Sequence, residues 1–212
     1  MEIVWHGHSF FEITTKHAKI AIDPFSKEIG LLPKRTKADI LLISHHHPDH
    51  CNKEVILGEY FLIDSPGEYE LKNVFVDAIE SFHDEKEGKE RGKNLIFVIE
   101  AEGKRICHLG DFGQKELKEE QRERIGSVNL LLVPVGGKFT ISAKEAVKLV
   151  KELQPNIVIP MHYFVEGLKF KLDKVDEFLK LMGEKNLKPI PKLKLKKDEK
   201  LPEESKVVLL SF

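Results

Sequence analysis

Cysteine, methionine and tryptophan are scarce in this 212-residue chain, at two, three and one residues respectively. The two cysteines, Cys51 and Cys107, lie far apart and form no CxxC pair, which excludes a disulfide scaffold and an all-cysteine zinc site. A reducing, cytoplasmic setting is therefore expected. No apolar run nears the roughly 20 residues that cross a bilayer. The N-terminus, Met1-Glu2-Ile3-Val4-Trp5-His6, lacks the basic-then-apolar order of a secretory signal, so no membrane partner is expected. An excess of charge of one sign is missing as well. With 34 Lys+Arg against 35 Asp+Glu the formal net charge is -1, and no global field draws the protein to nucleic acid.

Charged residues instead make up 33% of the chain, mostly Lys and Glu, a bias common in proteins from hot environments. The length suits one compact unit spanning residues 1–212. Short strand-like runs fill the first two-thirds: Glu2 to Trp5, Phe10 to Thr14, Lys19 to Asp23, Ile40 to Ile43, Tyr60 to Ile63, Val74 to Ile79, Leu95 to Glu100, Arg105 to Leu109 and Asn129 to Val133. Ile157 to Ile159 and Val207 to Leu210 extend the series. Helical periodicity covers Gln114 to Ile125, Ala143 to Leu153, where Ser142 and Glu145 form a capping box and Pro155 stops the helix, and Asp173 to Met182. Most strand runs are apolar enough to be buried on both faces, so sheets packed together and flanked by helices are expected, an α/β layered sandwich. Two charged stretches, Asp84 to Lys93 and Lys185 to Lys200, read as exposed connections.

Several strand-like runs end on residues that bind metals. Ile40 to Ser44 leads into His45, Val74 to Phe82 into His83, Arg105 to Gly110 into Asp111, and Asn156 to Met161 into His162. Strand ends on one sheet edge converge on a rigid support. In extended backbone, residues two apart share a face, so His45 and His47 can grip one ion while His46 points away. After Pro48 the chain must turn, and the turn can aim Asp49 and His50 at a second ion. Imidazole with carboxylate suits zinc first, manganese or iron next, and calcium or magnesium poorly. His108 and the two cysteines read as packed residues, and His8 as either a turn residue or one that reaches the site.

The run His45, His47, Asp49, His50 resembles the HxHxDH signature of the metallo-β-lactamase superfamily. His83, the only histidine between His50 and His108, and Asp111 and His162 match its later motifs in order, while Asp23 matches its early aspartate. Trp5-His6-Gly7-His8-Ser9, Pro134-Val135-Gly136-Gly137 and Ile159-Pro160-Met161-His162-Tyr163 resemble a compact branch of metal-dependent hydrolases related to sugar-phosphate lactonases. The resemblance implies a four-layered αββα sandwich holding two divalent ions. It implies His45, His47 and His83 on the first ion, Asp49, His50 and His162 on the second, and Asp111 bridging, with Asp23 supporting the ligands from behind; His8, if it reaches the site rather than serving the turn, would join Asp23 in orienting them.

The expected chemistry is hydrolysis of an ester, lactone or phosphodiester in a small molecule by a metal-bridged hydroxide steered by Asp49 or Asp111. Loops at Asp84 to Lys93, Gly136 to Thr140 and Tyr163 to Lys171 would set specificity; Arg91, Lys93 and Lys138 offer cations for an anionic substrate there, but with lysine abundant throughout the chain they read first as ordinary surface residues. The alternatives are a metal-dependent nuclease or RNA-processing hydrolase, which would want a basic groove or an added arm, and a non-catalytic binding protein stabilised by a closed metal site.

Overall fold

A computed structural model describes residues 1–212. In chain order the strands are β1 (Glu2–Trp5), β2 (Phe11–Thr14), β3 (Lys19–Ile22), β4 (Thr36–Lys37), β5 (Ile40–Leu42), β6 (Ile56–Leu57) and β7 (Phe61–Ile63). They continue as β8 (Gly67–Leu71), β9 (Val74–Phe82), β10 (Lys93–Ala101), β11 (Lys104–His108), β12 (Leu130–Pro134), β13 (Ile157–Met161), β14 (Leu193–Lys194) and β15 (Lys206–Val207). The helices are α1 (Glu119–Ile125), α2 (Ala143–Leu153) and α3 (Asp176–Leu181). A six-stranded sheet runs β14-β1-β2-β3-β5-β7, a seven-stranded one β15-β13-β12-β11-β10-β9-β8, and β4 pairs with β6.

Strand alternation sorts the first sheet's side chains into two cores. Ile20, Ile22, Ile40 and Leu42 belong to the main apolar cluster of 48 buried residues, which also takes in the second sheet. Ala21, Leu41 and Ile43 point the other way, into a cluster of 10 with Phe10, Phe25, Ile29 and Val55. The layered α/β sandwich is therefore present, and its outer layers differ in kind. On the second sheet α1 contacts β9, α2 contacts β12, and α3 packs on α2. The outer cluster of the first sheet is closed by the 3-10 turns Lys27–Ile29 and Lys53–Val55 and by β6.

The periodicity places α2 correctly, with the capping box of Ser142 and Glu145 in place. It overextends its two neighbours. α1 begins only at Glu119 because the Gln114 amide is buried and bonded to Gln121, Glu116 and the Phe82 N–H, which an exposed helical turn could not supply. The run toward Leu210 pairs as a strand only at Lys206–Val207, with an isolated bridge from Leu210 to Ile190.

Neither charged stretch is a plain exposed connection. Asp84 is buried, and its carboxylate accepts the backbone N–H groups of Lys86, Gly88, Glu90 and Arg91, folding the segment around one anion. The lysine-rich stretch contains β14, whose Lys194 and Leu193 pair with Glu2 and Ile3, and Lys192 and Lys194 both bridge to Glu2. Charge neutralisation by Glu2 lets so basic a segment serve as an edge strand.

Candidate metal centre

Topology brings the ligand-type residues together. β9 and β11 both run antiparallel to β10, and β11, β12 and β13 run parallel, so β9, β11 and β13 end on one edge of their sheet. His83, Asp111 and His162 follow those ends. On the facing sheet β3 and β5 are parallel and carry Asp23 and the His45 to His50 run just beyond their own ends. Each residue thus sits where a strand stops pairing and its side chain is free to turn into the gap between sheets.

The ligand atoms form three overlapping groups, each with all members within 4.8 Å: His45, His47 and His83; His8, Asp49, His50 and His162; and His45, His50 and Asp111. Asp111 lies between the sets. Its Oδ2 stands 3.2 Å from both His83 Nε2 and His162 Nε2, and its Oδ1 is 3.2 Å from His50 Nε2. His46, by contrast, joins none of these groups; its ring is 65% exposed and lies 3.8 Å from Asp64. His108 is fully buried against the Ser9 carbonyl and the Gly110 N–H, a packed residue.

The groove is supported from behind. Asp23 is fully buried and accepts hydrogen bonds from the Ser44 N–H at 2.7 Å, the Ser44 hydroxyl at 2.6 Å and His50 Nδ1 at 3.0 Å. With Asp23 accepting at Nδ1, His50 is turned so that Nε2 faces Asp111, the position in which a bound cation would take the place of a proton. Ser44 Oγ also lies 3.0 Å from His45 Nδ1, and Asp23 thereby orients two imidazoles, one directly and one through a hydroxyl. The side-chain Oδ1 of Asn94 accepts the Asp111 N–H at 2.9 Å while its Nδ2 donates to the Leu109 carbonyl and the Ser81 hydroxyl. A side chain on Gly110 would meet Asn94 Oδ1 at 2.3 Å, so glycine with φ +56 is required for Asp111 to be held this way. His8, Asp23 and His162 adopt φ of 53, 50 and 50. Left-handed backbone costs a non-glycine residue roughly 1–2 kcal/mol, and its concentration here is strain held at the site by its surroundings.

Sequence reading alone missed Ser44 and Asn94. Serine before histidine carries no distinctive pattern. Asn94 left one trace, a polar residue opening a buried apolar strand.

Electrostatics favours lone pairs over protons at much of the site. Burial, reinforced by the charge of His50, holds His45 well below the ordinary imidazole range, and burial with the charge of His83 lowers His47. His8 is lowered to about 4, chiefly by burial and then by the charge of His162. Burial alone would raise the Asp111 carboxyl, but the charges of His162 and His50 outweigh it and hold Asp111 well below the carboxylate range. Asp49 is lowered in the same way by His50 and by the hydrogen bond from His8. His50 moves the other way, raised well above the usual range because Asp111, Asp49 and Asp23 outweigh its burial.

A metal fits this donor set. His45 Nε2, His50 Nε2, His162 Nε2 and Asp111 Oδ1 are buried without a hydrogen-bond partner, and buried polar atoms left unpaired cost about 1–3 kcal/mol each. Cations placed among them would satisfy several at once, and nitrogen with carboxylate oxygen is the donor chemistry that zinc, manganese and iron accept.

A family model for the beta-lactamase superfamily domain matches residues 2–162. A UPF0173 metal-dependent hydrolase of Thermococcus onnurineus is 32% identical over 206 residues, covering 84% of this chain and 91% of its own. A solved structure from Thermotoga maritima, provisionally assigned by its description to the Zn-dependent hydrolases of the metallo-beta-lactamase superfamily, superposes with a TM-score of 0.81 at 38% identity, covering 99% of this chain and 97% of that one. Igni18, a metallo hydrolase of Ignicoccus hospitalis, shares the fold with a TM-score of 0.66 at 21% identity, covering 92% of this chain and 99% of that one. With sheet order, strand-end histidines and these relatives in agreement, the chain belongs to the metallo-β-lactamase superfamily, among its UPF0173 metal-dependent hydrolases.

Proposed function

We propose that the protein hydrolyses an ester, lactone or phosphodiester bond in a small molecule, using two divalent ions, zinc by preference, with kinship to the sugar-phosphate lactonases as part of the same reading. The observation that carries it is the placing of Asp111 between two histidine groups, its carboxylate oxygens 3.2 Å from His83, His162 and His50. In this reading His45, His47 and His83 hold one ion, Asp49, His50 and His162 the other, and Asp111 serves both.

Bound divalent ions would supply a water of lowered pKa and an electrophile for the substrate's carbonyl or phosphoryl oxygen. The chain's own residues do the rest. Asp111 and Asp49, both held ionised, are the acceptors available for a proton from the attacking water. Asp49 is the more open of the two, with its side chain 22% exposed against 2% for Asp111, and so it is the one placed to pass a proton to solvent or to a leaving group. His8 Nε2 stands 3.2 Å from Asp49 Oδ2 and restrains that carboxylate. Asp23 and Ser44 fix the imidazoles, so little reorganisation is left to the reaction itself.

No helix is long and apolar enough to cross a membrane, and Cys51 and Cys107 are free thiols, which supports a cytoplasmic setting as part of the proposal. The test is metal quantitation on the purified protein with a screen of chromogenic esters, lactones and phosphodiesters. Two equivalents of metal and turnover abolished in Asp49→Ala and His162→Ala are expected. Turnover unchanged in either variant would refute the assignment.

A further inference from the structure

Beside the first histidine group lies a cavity of about 370 Å³ whose lining includes His45, His47, Asp64, Glu80, Arg91 and Lys93. Three cations, Arg91, Lys93 and Lys138, stand out in the sequence near the site, but the structure separates them. Lys93 is ion-paired with Glu80 at 2.7 Å and 70% exposed, and Lys138 is exposed and outside the cavity lining. Arg91 is different. Its guanidinium makes no hydrogen bond within the protein, and its nearest carboxylate, Glu90, is 3.8 Å away. Its backbone is nevertheless anchored, because the Arg91 N–H is held by Asp84 at 2.8 Å and the next residue, Gly92, accepts the His83 N–H at 3.1 Å.

Arg91 lies over the ring of Phe139 at 5.8 Å. Phe139 meets Phe170 edge to face at 6.0 Å, and Phe170 meets the His8 ring at 5.7 Å. His8 in turn belongs to the second ligand group. A guanidinium and two aromatic rings therefore form a continuous arc from the first group to the second. Phe139 keeps 40% of its surface exposed and belongs to neither apolar cluster. The loops that carry these rings are built rather than loose. Thr140 N–H returns to Gly137 at 3.2 Å, and Lys169 N–H bonds to the Ile29 carbonyl at 2.9 Å. An exposed phenyl ring beside a guanidinium whose one ion pair, to Glu90, is as long as 3.8 Å presents an apolar face and an anion site side by side.

We propose that Arg91, Phe139 and Phe170 form a specificity rim over both ligand groups, and that the substrate carries an anionic group next to a flat apolar or aromatic one. The proposal rests on the hydrolase reading for the word substrate, but its test is a binding measurement. The probes are phenylphosphonate, methylphosphonate and benzyl alcohol, titrated calorimetrically into the zinc-loaded full-length protein. Phenylphosphonate should bind about tenfold tighter than methylphosphonate, the usual reward for seating one ring on aromatic neighbours. Arg91→Gln should weaken both phosphonates about fivefold, the scale of one partly exposed charge-assisted contact, and leave benzyl alcohol unchanged. Phe139→Ala should weaken the two ring-bearing probes and spare methylphosphonate. Both side chains are partly exposed, so the variants should keep the wild-type melting temperature.

Equal affinity for the two phosphonates in the wild type, or unaltered affinities in both variants, would overturn the rim. A protein that shows the ring and charge preferences yet cleaves no ester, lactone or phosphodiester would keep the rim and lose the hydrolase reading. One that cleaves them without these preferences would do the reverse.

Discussion

Asp23→Asn isolates the support behind the site, because asparagine tolerates the left-handed backbone at φ 50 as well as aspartate does. Only charge and one acceptor are lost. The two oxygens of Asp23 receive the Ser44 N–H on one side and the Ser44 hydroxyl together with His50 Nδ1 on the other. An amide cannot serve both sides. With its NH₂ toward Ser44 N, two donors face each other at a distance set for a 2.7 Å bond. With its NH₂ toward His50, the ring must give up the Nδ1 hydrogen and protonate Nε2, the atom that faces Asp111. The first outcome costs stability, and the second removes the lone pair that the proposed metal site would use. Losing charge-assisted bonds in a fully buried place costs about 2–3 kcal/mol, or a fall of roughly 4–10 °C in melting temperature for a chain of this size. Outer-shell replacements of this kind weaken metal binding about 10- to 100-fold. Thermal unfolding of the metal-free protein reads the first quantity, and zinc titration against a competing chelator reads the second. A variant with wild-type melting temperature and wild-type zinc affinity would refute the view that Asp23 organises the imidazoles.

Chelation of the loaded wild type should lower its melting temperature by roughly 5–10 °C, since metal present at about 100 times its dissociation constant contributes about 2.7 kcal/mol to the folded state; an unchanged transition would mean that the folded protein holds no metal. Asp84→Ala removes the one acceptor shared by the N–H groups of Lys86, Gly88, Glu90 and Arg91, so limited proteolysis should begin to cut within residues 85–92 while the wild type resists. Glu12 supplies the pH dependence. Its burial would raise the carboxyl, but nearby His6 at 3.6 Å, the hydrogen bond from Thr36 and the ion pair with Lys19 pull it from 4.5 to about 2. A lowered folded pKa stabilises fully above pH 4.5 and is lost as pH falls through 2, so Glu12→Gln should be less stable than wild type at pH 7 by about 1–2 kcal/mol after solvent screening. Denaturant midpoints should converge toward pH 2, and a gap that persisted there would show that the charge of Glu12 is not its source.

The residues of the site were legible because metal binding demands particular atoms, and few residue types supply them. His45, His47, Asp49 and His50 sit in one short run, and His46 within that run joins none of the ligand groups. β5, β11 and β13 were legible for the same reason that they are buried, since a strand covered on both faces must be apolar throughout. The helix limits were less so. Gln114 reads as part of a helix in the sequence, and only its buried amide, bonded to Gln121 and the Phe82 N–H, shows why the helix starts later.

By itself the sequence determined which donors are present, their order, and the strand ends that carry them. Tertiary structure alone decided which donors meet: that Asp111 falls between His83, His162 and His50, that Asp23 reaches His50 directly and His45 through Ser44, and that Arg91 keeps only a 3.8 Å pair with Glu90 while Lys93 is held at 2.7 Å by Glu80. The physical reason is that strand order and the spacing between sheets set these distances, and both arise from how two buried faces pack together rather than from any local pattern of residues.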